Sequence, residues 1–474
     1  MAIKKVFNQD IARELVNSDE YIQDLVYMKD YGCFYLWSGK FPDRPEGHFV
    51  KLDSDDDDML KIIDEFCLSR GYNQNYTYSS YADIEKLVRM FTLKRVNRED
   101  DKYVAFKDAL LNVETFEIEP FDKSKICTTY FPYNIEETKE DTPVFKKFLS
   151  TSLVYEDDVY KTDNDLIILA QEMMGSLLIN NLKASAAFFL YGRLASNGKS
   201  QLQKVIENVF GFEQCASLSL ADLSDKFSTI SLIGKRVNLA GELDEKFGNS
   251  KAFKQLVTGD RFKAEYKFGK VVFFTPRTKF IFSTNKIPTF DGFDRGVRRR
   301  LIFLPFHRTF LPTDPDIDIY LEEKLKKETA GIIGWMIEGA KRLVKNNYQF
   351  TVPKSSLKII GKFDQEMSSA AMFVHEENWV VNDDKDAIYI PRTEFYDHYK
   401  QWSYESNKKP LSRNRFYEDL ENIIKDIKVV QKYIDGRPQR CFNLCQLVDS
   451  IPDGFAEEGT EIIDGGLEQL CFGD

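Results

Sequence analysis

The sequence predicts an α/β fold, a sheet of buried strands alternating with helices, and three observations carry that expectation. Between Ala184 and Phe306 short apolar runs recur, ASAAFFLY, KRVNLAGELD, KVVFFTP, TKFIFSTN and RRLIFLPF, separated by polar connectors. Helix-compatible stretches flank and separate them: residues 145–182, QLQKVIENVF after the first run, and residues 314–347. The chain can also bury such a sheet, with 474 residues of which 43 % are hydrophobic and 14 % aromatic. That composition excludes a wholly disordered chain, and the length suits about three domains of ~100–200 residues each.

Taken in chain order, residues 1–143 read as an N-terminal α+β domain. Helical runs fall near 8–16 and 57–69, and strand-like pieces at 103–106 and 110–118. The acids Asp53, Asp55, Asp56, Asp57 and Asp58 precede MLKIIDEFCLSRG, where negative charge favours a helix start. No His or Cys cluster follows that would turn them into a catalytic centre. Residues 144–350 hold the apolar runs with their flanking helices. Residues 366–448 read as a small separate domain, and 451–474 as an acidic, disordered tail.

The formal net charge is −11, but its distribution matters more than its sign. Setting aside the five acids of the Asp run and the seven of the tail leaves a body of net charge +1, with local basic clusters. Seven scattered cysteines (Cys33, Cys67, Cys127, Cys215, Cys441, Cys445, Cys471) suit a reducing cytoplasm rather than a disulfide framework. Cys441 and Cys445 have no second Cys/His pair nearby to complete a zinc ribbon. The N-terminus lacks the apolar core of a secretory signal. Met173–Gly192 is apolar, but Asn180, Asn181 and Lys183 would lie near a bilayer centre, so it reads as a buried helix ending near Lys183 followed by a strand. A cytoplasmic protein with no membrane contact is expected.

The chemistry begins where ASAAFFLY runs into Gly192-Arg-Leu-Ala-Ser-Asn197-Gly198-Lys199-Ser200 and then a helix. A loop between strand and helix turns backbone N–H groups and the helix N-terminus toward phosphate. Gly192, Asn197, Gly198, Lys199 and Ser200 are the expected nucleotide-binding residues, with Lys199 on the β/γ-phosphates and the Ser200 hydroxyl on Mg²⁺. Five residues separate Gly192 from Gly198-Lys199 where the standard spacing has four, with Arg193 in a usual glycine position. A chance Gly-Lys-Ser in a surface loop is the competing reading, and the preceding apolar strand argues against it. KRVNLAGELDE ends in the acids such a site needs: Glu242 and Asp244 on one face, Glu245 beside them. One acid would help hold Mg²⁺ and another would polarise the attacking water. TKFIFSTN ends in Asn285, placed to sense the γ-phosphate, or else a simple turn residue. GDRFKAEYKFGKVVFF reads as a hairpin, with Phe262, Ala264, Tyr266 and Phe268 alternating before a turn at Gly269, and Lys263, Lys267 and Lys270 projecting.

In their order, GKS, GELDE, FKQLVTGDRFKAEYKF, KFIFSTNKIP and GVRRRLIFLPF resemble the superfamily 3 helicase domain of phage and plasmid primase–helicases. FKDALLNVETFEIEPF resembles that family's lead-in, with Asp108-Ala109 where Asn-Gly is common. The resemblance covers roughly Tyr103 to Phe306. Its narrower form is to Rep-type initiator helicases of staphylococcal pathogenicity islands. It implies an AAA+-like P-loop NTPase core, ATP and Mg²⁺ as cofactors, and a hexameric ring with ATP between neighbours. Glu242 then holds Mg²⁺ with Ser200, Asp244 or Glu245 supplies the second acid, and Asn285 is the sensor. Arg299 and Arg300 match the paired arginines, one a finger to the neighbour's ATP. Arg298 stands where an aromatic is common, so which arginine is the finger stays open. Six hairpins bearing Lys263, Lys267 and Lys270 would line a pore for single-stranded DNA, tracked 3′ to 5′.

TEFYDHYKQWSYESNKKPLSRNRFYEDLENIIKDIKVVQKYIDGRPQRCFNL reads as helix, turn, helix and a hairpin at Asp435-Gly436, the outline of a winged helix. Arg413 and Arg415 at the start of the second helix would face origin duplex. Lys425, Lys428, Lys432, Arg437 and Arg440 would add phosphate contacts. Trp402, Tyr404, Phe416 and Leu420 are assigned to its core. About 100 residues precede the lead-in, with no zinc cysteines, so no primase activity is expected. The leading reading is an ATP-driven DNA helicase and replication initiator of a mobile element. The alternatives are a nucleotide-gated DNA-binding assembly without unwinding, and a small-molecule kinase.

Overall fold

The computed structural model describes residues 6–20, 24–29, 31–40, 47–52, 57–72, 76–94, 102–179, 184–241, 246–247, 250–267, 269, 271–290, 295–382, 389–406, 408–424, 426–434 and 436–446. Two compact units emerge. The first comprises residues 1–288 and 295–357, the second 289–294 and 358–474.

The first unit opens with α1 (Asn8–Asn17), β1 (Leu25–Met28), β2 (Cys33–Trp37), β3 (Phe49–Lys51), α2 (Asp58–Ser69), α3 (Tyr78–Phe91) and β4 (Leu93–Lys94). The strands form a sheet in the order β3-β2-β1-β4. Ile11 and Leu15 of α1, Ile63 and Phe66 of α2 and Ile84 and Val88 of α3 share one core with Leu25, Tyr27 and Phe34. A second, antiparallel sheet joins β5 (Tyr103–Ala105), β6 (Leu110–Asn112) and β7 (Ile118–Glu119). The single strand expected over 110–118 is therefore two. The Asn112 side chain accepts from the N–H groups of Glu114 and Thr115 at 3.0 and 3.2 Å, and Phe116 takes a φ of 62°, which turns the chain.

The helical stretch expected over 145–182 also breaks, into α4 (Pro143–Ser152) and α5 (Asn164–Ser176). The Asp163 carboxylate accepts from the N–H groups of Asp165 and Leu166 and starts the second helix. That helix ends at Ser176 rather than near Lys183, and residues 180–183 lie outside the described set.

The α/β core follows: β8 (Ala187–Tyr191), α6 (Lys199–Phe210), β9 (Cys215–Ala216), β10 (Val237–Ala240), β11 (Lys246–Phe247), α7 (Ser250–Thr258), β12 (Phe262–Glu265), β13 (Val271–Phe274), β14 (Lys279–Thr284), β15 (Thr289–Phe290), α8 (Arg295–Arg298) and β16 (Leu301–Pro305). Five of these strands form one sheet in the order β16-β8-β14-β10-β9, and every neighbouring pair is parallel. Phe282, Phe189 and Phe303 fall in register across β14, β8 and β16, with ring centroids 5.2 and 5.3 Å apart. A strand buried on both faces is what a parallel sheet between helical layers demands. β12 and β13 pair as a separate antiparallel hairpin. The turns at 311–320 precede α9 (Leu321–Lys327) and α10 (Thr329–Lys345), so helix begins later than the expected Asp314. α10 crosses α5 closely enough that a Cβ on Gly339 would lie 2.0 Å from the Gln171 carbonyl oxygen.

After α11 (Lys354–Met367), the second unit holds α12 (Ser369–Glu376), β17 (Trp379–Val381), β18 (Ile390–Pro391), α13 (Arg392–Glu405), α14 (Arg413–Ile423), β19 (Val429–Ile434), β20 (Arg437–Phe442) and β21 (Leu444–Gln446). β18, β20 and β19 form a three-stranded antiparallel sheet. Its core is aromatic: Phe373 contacts the rings of Phe395, Tyr399, Trp402 and Phe416. Trp402, Phe416 and Leu420 are buried as expected, but Tyr404 is 69 % exposed. Two residues beyond Trp402, it falls on the other side of α13. Among the described residues no helix is long and apolar enough to cross a membrane.

Candidate nucleotide-binding site

The site lies at the carboxyl edge of β8. The chain leaves the sheet at Gly192, whose N–H donates to the Thr284 carbonyl of neighbouring β14 at 3.1 Å, and enters α6 at Lys199. Asn197, 4 % exposed, closes the loop by donating from Nδ2 to the Leu194 carbonyl at 2.6 Å. The Ser196 carbonyl accepts from the Phe310 N–H at 2.8 Å. Both glycines of the motif are dictated by space. A Cβ on Gly192 would lie 2.2 Å from Asn197 Nδ2, and one on Gly198, at φ 96°, would lie 2.9 Å from Ser152 Oγ. The extra residue relative to the standard spacing is absorbed where Arg193 and Leu194 stand exposed.

α6 presents Leu202, Val205, Ile206 and Val209 to the core, and this fixes the direction of its first turn. There Lys199, 6 % exposed, donates from Nζ to the Gly192 carbonyl at 3.2 Å and to Asn285 Oδ1 at 2.8 Å. Both acceptors are oxygens that a phosphate can replace. Ser200 is exposed on the same turn. Asn285 follows β14 directly, so adjacency of two parallel strands brings the loop lysine and the expected sensor together. Gln203 Nε2 donates to the Ala240 carbonyl at 2.8 Å and ties α6 to the end of β10. The acids expected just beyond that end, Glu242, Asp244 and Glu245, lie outside the described residues. Among the described residues no group of three or more His, Cys, Asp or Glu could hold a metal ion.

Beside the loop opens a cavity of about 490 Å³, lined by Val144, Phe148, Gly198, Gln201, Phe310 and Leu321 among others. Its walls are mostly apolar, and Gln201 Nε2 is buried there without a hydrogen-bond partner among the described residues. Arg308 fixes the far wall: its guanidinium reaches Asp314 and Asp316 at 2.8 Å and lies 4.5 Å from the Phe310 ring centroid. These aspartates hold Arg308 in its cationic form, against burial. Sequence reasoning missed this cavity entirely. Phe148 and Phe310 stand 162 positions apart and carry no motif.

The paired arginines differ sharply. Arg300 is 7 % exposed, and its guanidinium donates to Thr258 Oγ1 at 3.1 and 2.7 Å and to the Gly296 carbonyl. Arg299 is exposed, and Arg298 is half-buried. In the β12–β13 hairpin Lys263 is exposed opposite Phe273, and Lys267 is exposed in the turn that the Gly269 N–H closes onto the Tyr266 carbonyl. The first strand stops at Glu265, so the alternation expected through Phe268 ends early, because the turn begins at Tyr266. Phe268 and Lys270 lie outside the described residues, as do Lys425 and Asp435. In the second unit Arg413 starts α14 with its guanidinium 5.5 Å from the Tyr396 ring centroid. Arg415 pairs at 3.1 Å with Asp419. Lys428, Arg437 and Arg440 are exposed, whereas Lys432 is half-buried, 4.2 Å from the Tyr389 ring centroid.

Two segments match family models. Residues 190–300, from the end of β8 to the arginines, match a family of unknown function (DUF5906), and residues 366–444 match the poxvirus D5 protein-like family. No curated protein matches. Among solved structures, the apo structure of the NrS-1 C-terminal region is similar at 14 % identity, covering 90 % of this chain and 100 % of that one with a TM-score of 0.47. Its A-form apo structure gives 14 % identity and 0.46, covering 90 % and 99 %. The class defined is thus an α/β protein with a parallel sheet and a C-terminal segment similar to poxvirus D5-like proteins.

Proposed function

We propose that this chain is an ATP-driven, ring-forming DNA helicase with an AAA+-like P-loop core in residues 144–350, acting as a replication initiator of a mobile element. The observation that carries the reading is the Lys199–Asn285 contact at the carboxyl edges of adjacent parallel strands. A strand–loop–helix lysine next to a neighbouring-strand amide is the arrangement a γ-phosphate-sensing site needs. ATP phosphates take the place of the Gly192 and Asn285 oxygens on Lys199 and face the first-turn N–H groups of α6. The apolar cavity beside Gly198 receives the base, with Gln201 offering its amide. Mg²⁺, held by Ser200 and Glu242, would neutralise the β- and γ-phosphate oxygens. Asp244 or Glu245 polarises the attacking water, and Asn285 orients the γ-phosphate. Arg299, exposed on its own subunit, is the finger to a neighbour's ATP in a hexamer. Arg300, engaged with Thr258, holds it in place.

Lys263, Lys267 and Lys270 on the β12–β13 hairpin track the backbone of single-stranded DNA. Residues 366–448 act as a winged-helix module on origin duplex through Arg413 and Arg415, within the segment that matches the poxvirus D5-like family. The test is ATP hydrolysis and unwinding of a 3′-tailed duplex by the full chain and by Lys199→Ala. Loss of both activities with Lys199 supports the motor. Hydrolysis without strand separation, indifferent to single-stranded DNA, supports the nucleotide-gated assembly instead.

A further inference from the structure

At the opposite edge of the parallel sheet from the nucleotide loop, the amino ends of β9, β10 and β14 bring three cations together. Arg236 immediately precedes β10, Lys279 begins β14, and Arg277 lies two residues before it. Arg236 is 4 % exposed. Its Nη2 donates to the Leu178 carbonyl at 2.8 Å, while its Nε is buried with no hydrogen-bond partner among the described residues. Arg277 spreads its guanidinium 5.4 Å from the Tyr31 ring centroid. Arg236 and Arg277 line a small cavity with Tyr31, Lys235, Thr129 and Thr275, and no acid is among its described lining residues. A buried guanidinium with a free donor beside two further cations is costly to keep unless an anion joins it.

The charges respond to one another as such a cluster must. Burial, with Arg236 and Arg277 beside it, pushes the Lys279 ammonium down to about 7, and burial pushes Arg236 down to about 10. Tyr31 and Cys127 lie beside Arg236 and favour its cation, and burial pushes the Cys127 thiol up to about 12.

Size limits the ligand, and charge selects it. The cavity leaves about 20 Å³ for the centres of oxygen-sized atoms. A single water needs about 10–15 Å³, so the enclosed space suits one small polar group beside the arginines and not a nucleobase. We infer that the cavity at the amino ends of β9, β10 and β14 is a phosphate-binding site, separate from the nucleotide loop, in which Arg236 and Arg277 donate to a single phosphate group. Guanidinium forks match phosphate oxygens in pairs, and the Thr129 and Thr275 hydroxyls can complete the shell. The phosphate can be free inorganic phosphate or the terminal phosphate of a nucleic-acid strand.

The experiment uses full-length Lys199→Ala protein, so that the nucleotide loop contributes nothing, and titrates inorganic phosphate at constant ionic strength by calorimetry. Saturable binding is expected, weakened at least tenfold in Lys199→Ala/Arg277→Gln and in Lys199→Ala/Arg236→Gln. Circular dichroism checks that each variant is folded, and Arg277→Gln carries the test if the buried Arg236→Gln does not fold. Binding that disappears with Lys199→Ala alone, or that is equal with and without Arg277, overturns the site while leaving the helicase reading intact. Competition by a 5′-phosphorylated oligonucleotide but not its 5′-hydroxyl form identifies a strand end as the source. Competition by neither identifies free phosphate.

Discussion

The Lys199 ammonium and the Asn285 amide oxygen stand 2.8 Å apart although 86 positions separate them in the chain. β8 and β14 are in register from Ala187–Phe280 to Tyr191–Thr284, so the residues that leave those strands must meet. On the proposed helicase reading, the amide occupies the lysine before nucleotide arrives and is released to the γ-phosphate afterwards. Asn285→Ala is therefore expected to lower kcat for ATP hydrolysis by about 10²-fold or more while KM changes little. Steady-state kinetics decide it, and a rise in KM with kcat preserved would make Asn285 a binding residue only.

The two arginines should separate by readout. Arg299→Ala removes an exposed side chain, so stability stays within about 0.5 kcal/mol while hydrolysis falls by roughly 10³-fold. Arg300→Ala breaks the bonds to Thr258 and is expected to cost about 2 kcal/mol in urea unfolding. Mixing Arg299→Ala with Lys199→Ala subunits restores some activity if the finger acts across subunits. If it works within one chain, the mixture stays inactive.

Phe310 closes the apolar cavity and donates its backbone N–H to the Ser196 carbonyl in the Gly192–Lys199 loop. Phe310→Ala removes one wall without touching Lys199. The expected outcome is an ATP KM raised about tenfold at near-constant kcat, with discrimination between ATP and GTP reduced. An unchanged KM would place the base elsewhere.

Gly339 meets the Gln171 carbonyl across α5 and α10 with no room for a methyl group. Gly339→Ala should cost at least about 2 kcal/mol through overpacking, measured by urea unfolding. A cost below about 0.5 kcal/mol would mean that the helices can slide apart freely.

Lys279, lowered to about 7 by burial and then by Arg236 and Arg277 beside it, gives stability a pH slope. Unfolded lysine stays protonated to about 10.4, so above pH 7 the unfolded chain binds the extra proton and stability rises with pH. Below 7 both states are charged and the penalty is constant. Cys127 and Cys215, raised to about 12 by burial, oppose the rise once unfolded thiols ionise near 8.5. Between pH 7 and 8.5 the urea midpoint should therefore climb in the wild type and flatten in Lys279→Met. Equal slopes in the two proteins would remove Lys279 as the cause.

Local sequence determined the elements that make the loop. The apolar run before Gly192, the helical pattern after Lys199 and the Gly198 punctuation each act over a few residues, so the strand, turn and helix were legible. The β12–β13 and β19–β20 hairpins and the aromatic helices of the second unit were legible for the same reason, periodicity against one buried face. Breaks depend on single side chains bonding to nearby backbone, Asn112 and Asp163, which the hydrophobic pattern of a continuous strand or helix does not record. Only tertiary structure decided that Arg300 is held inside by Thr258 while Arg299 is not, because alternation along three adjacent arginines gives no partner. It alone built the cavity of Phe148 and Phe310, and the cation cluster at the amino ends of three strands, since parallel strands collect residues from distant segments at each edge and no local pattern records which ones meet.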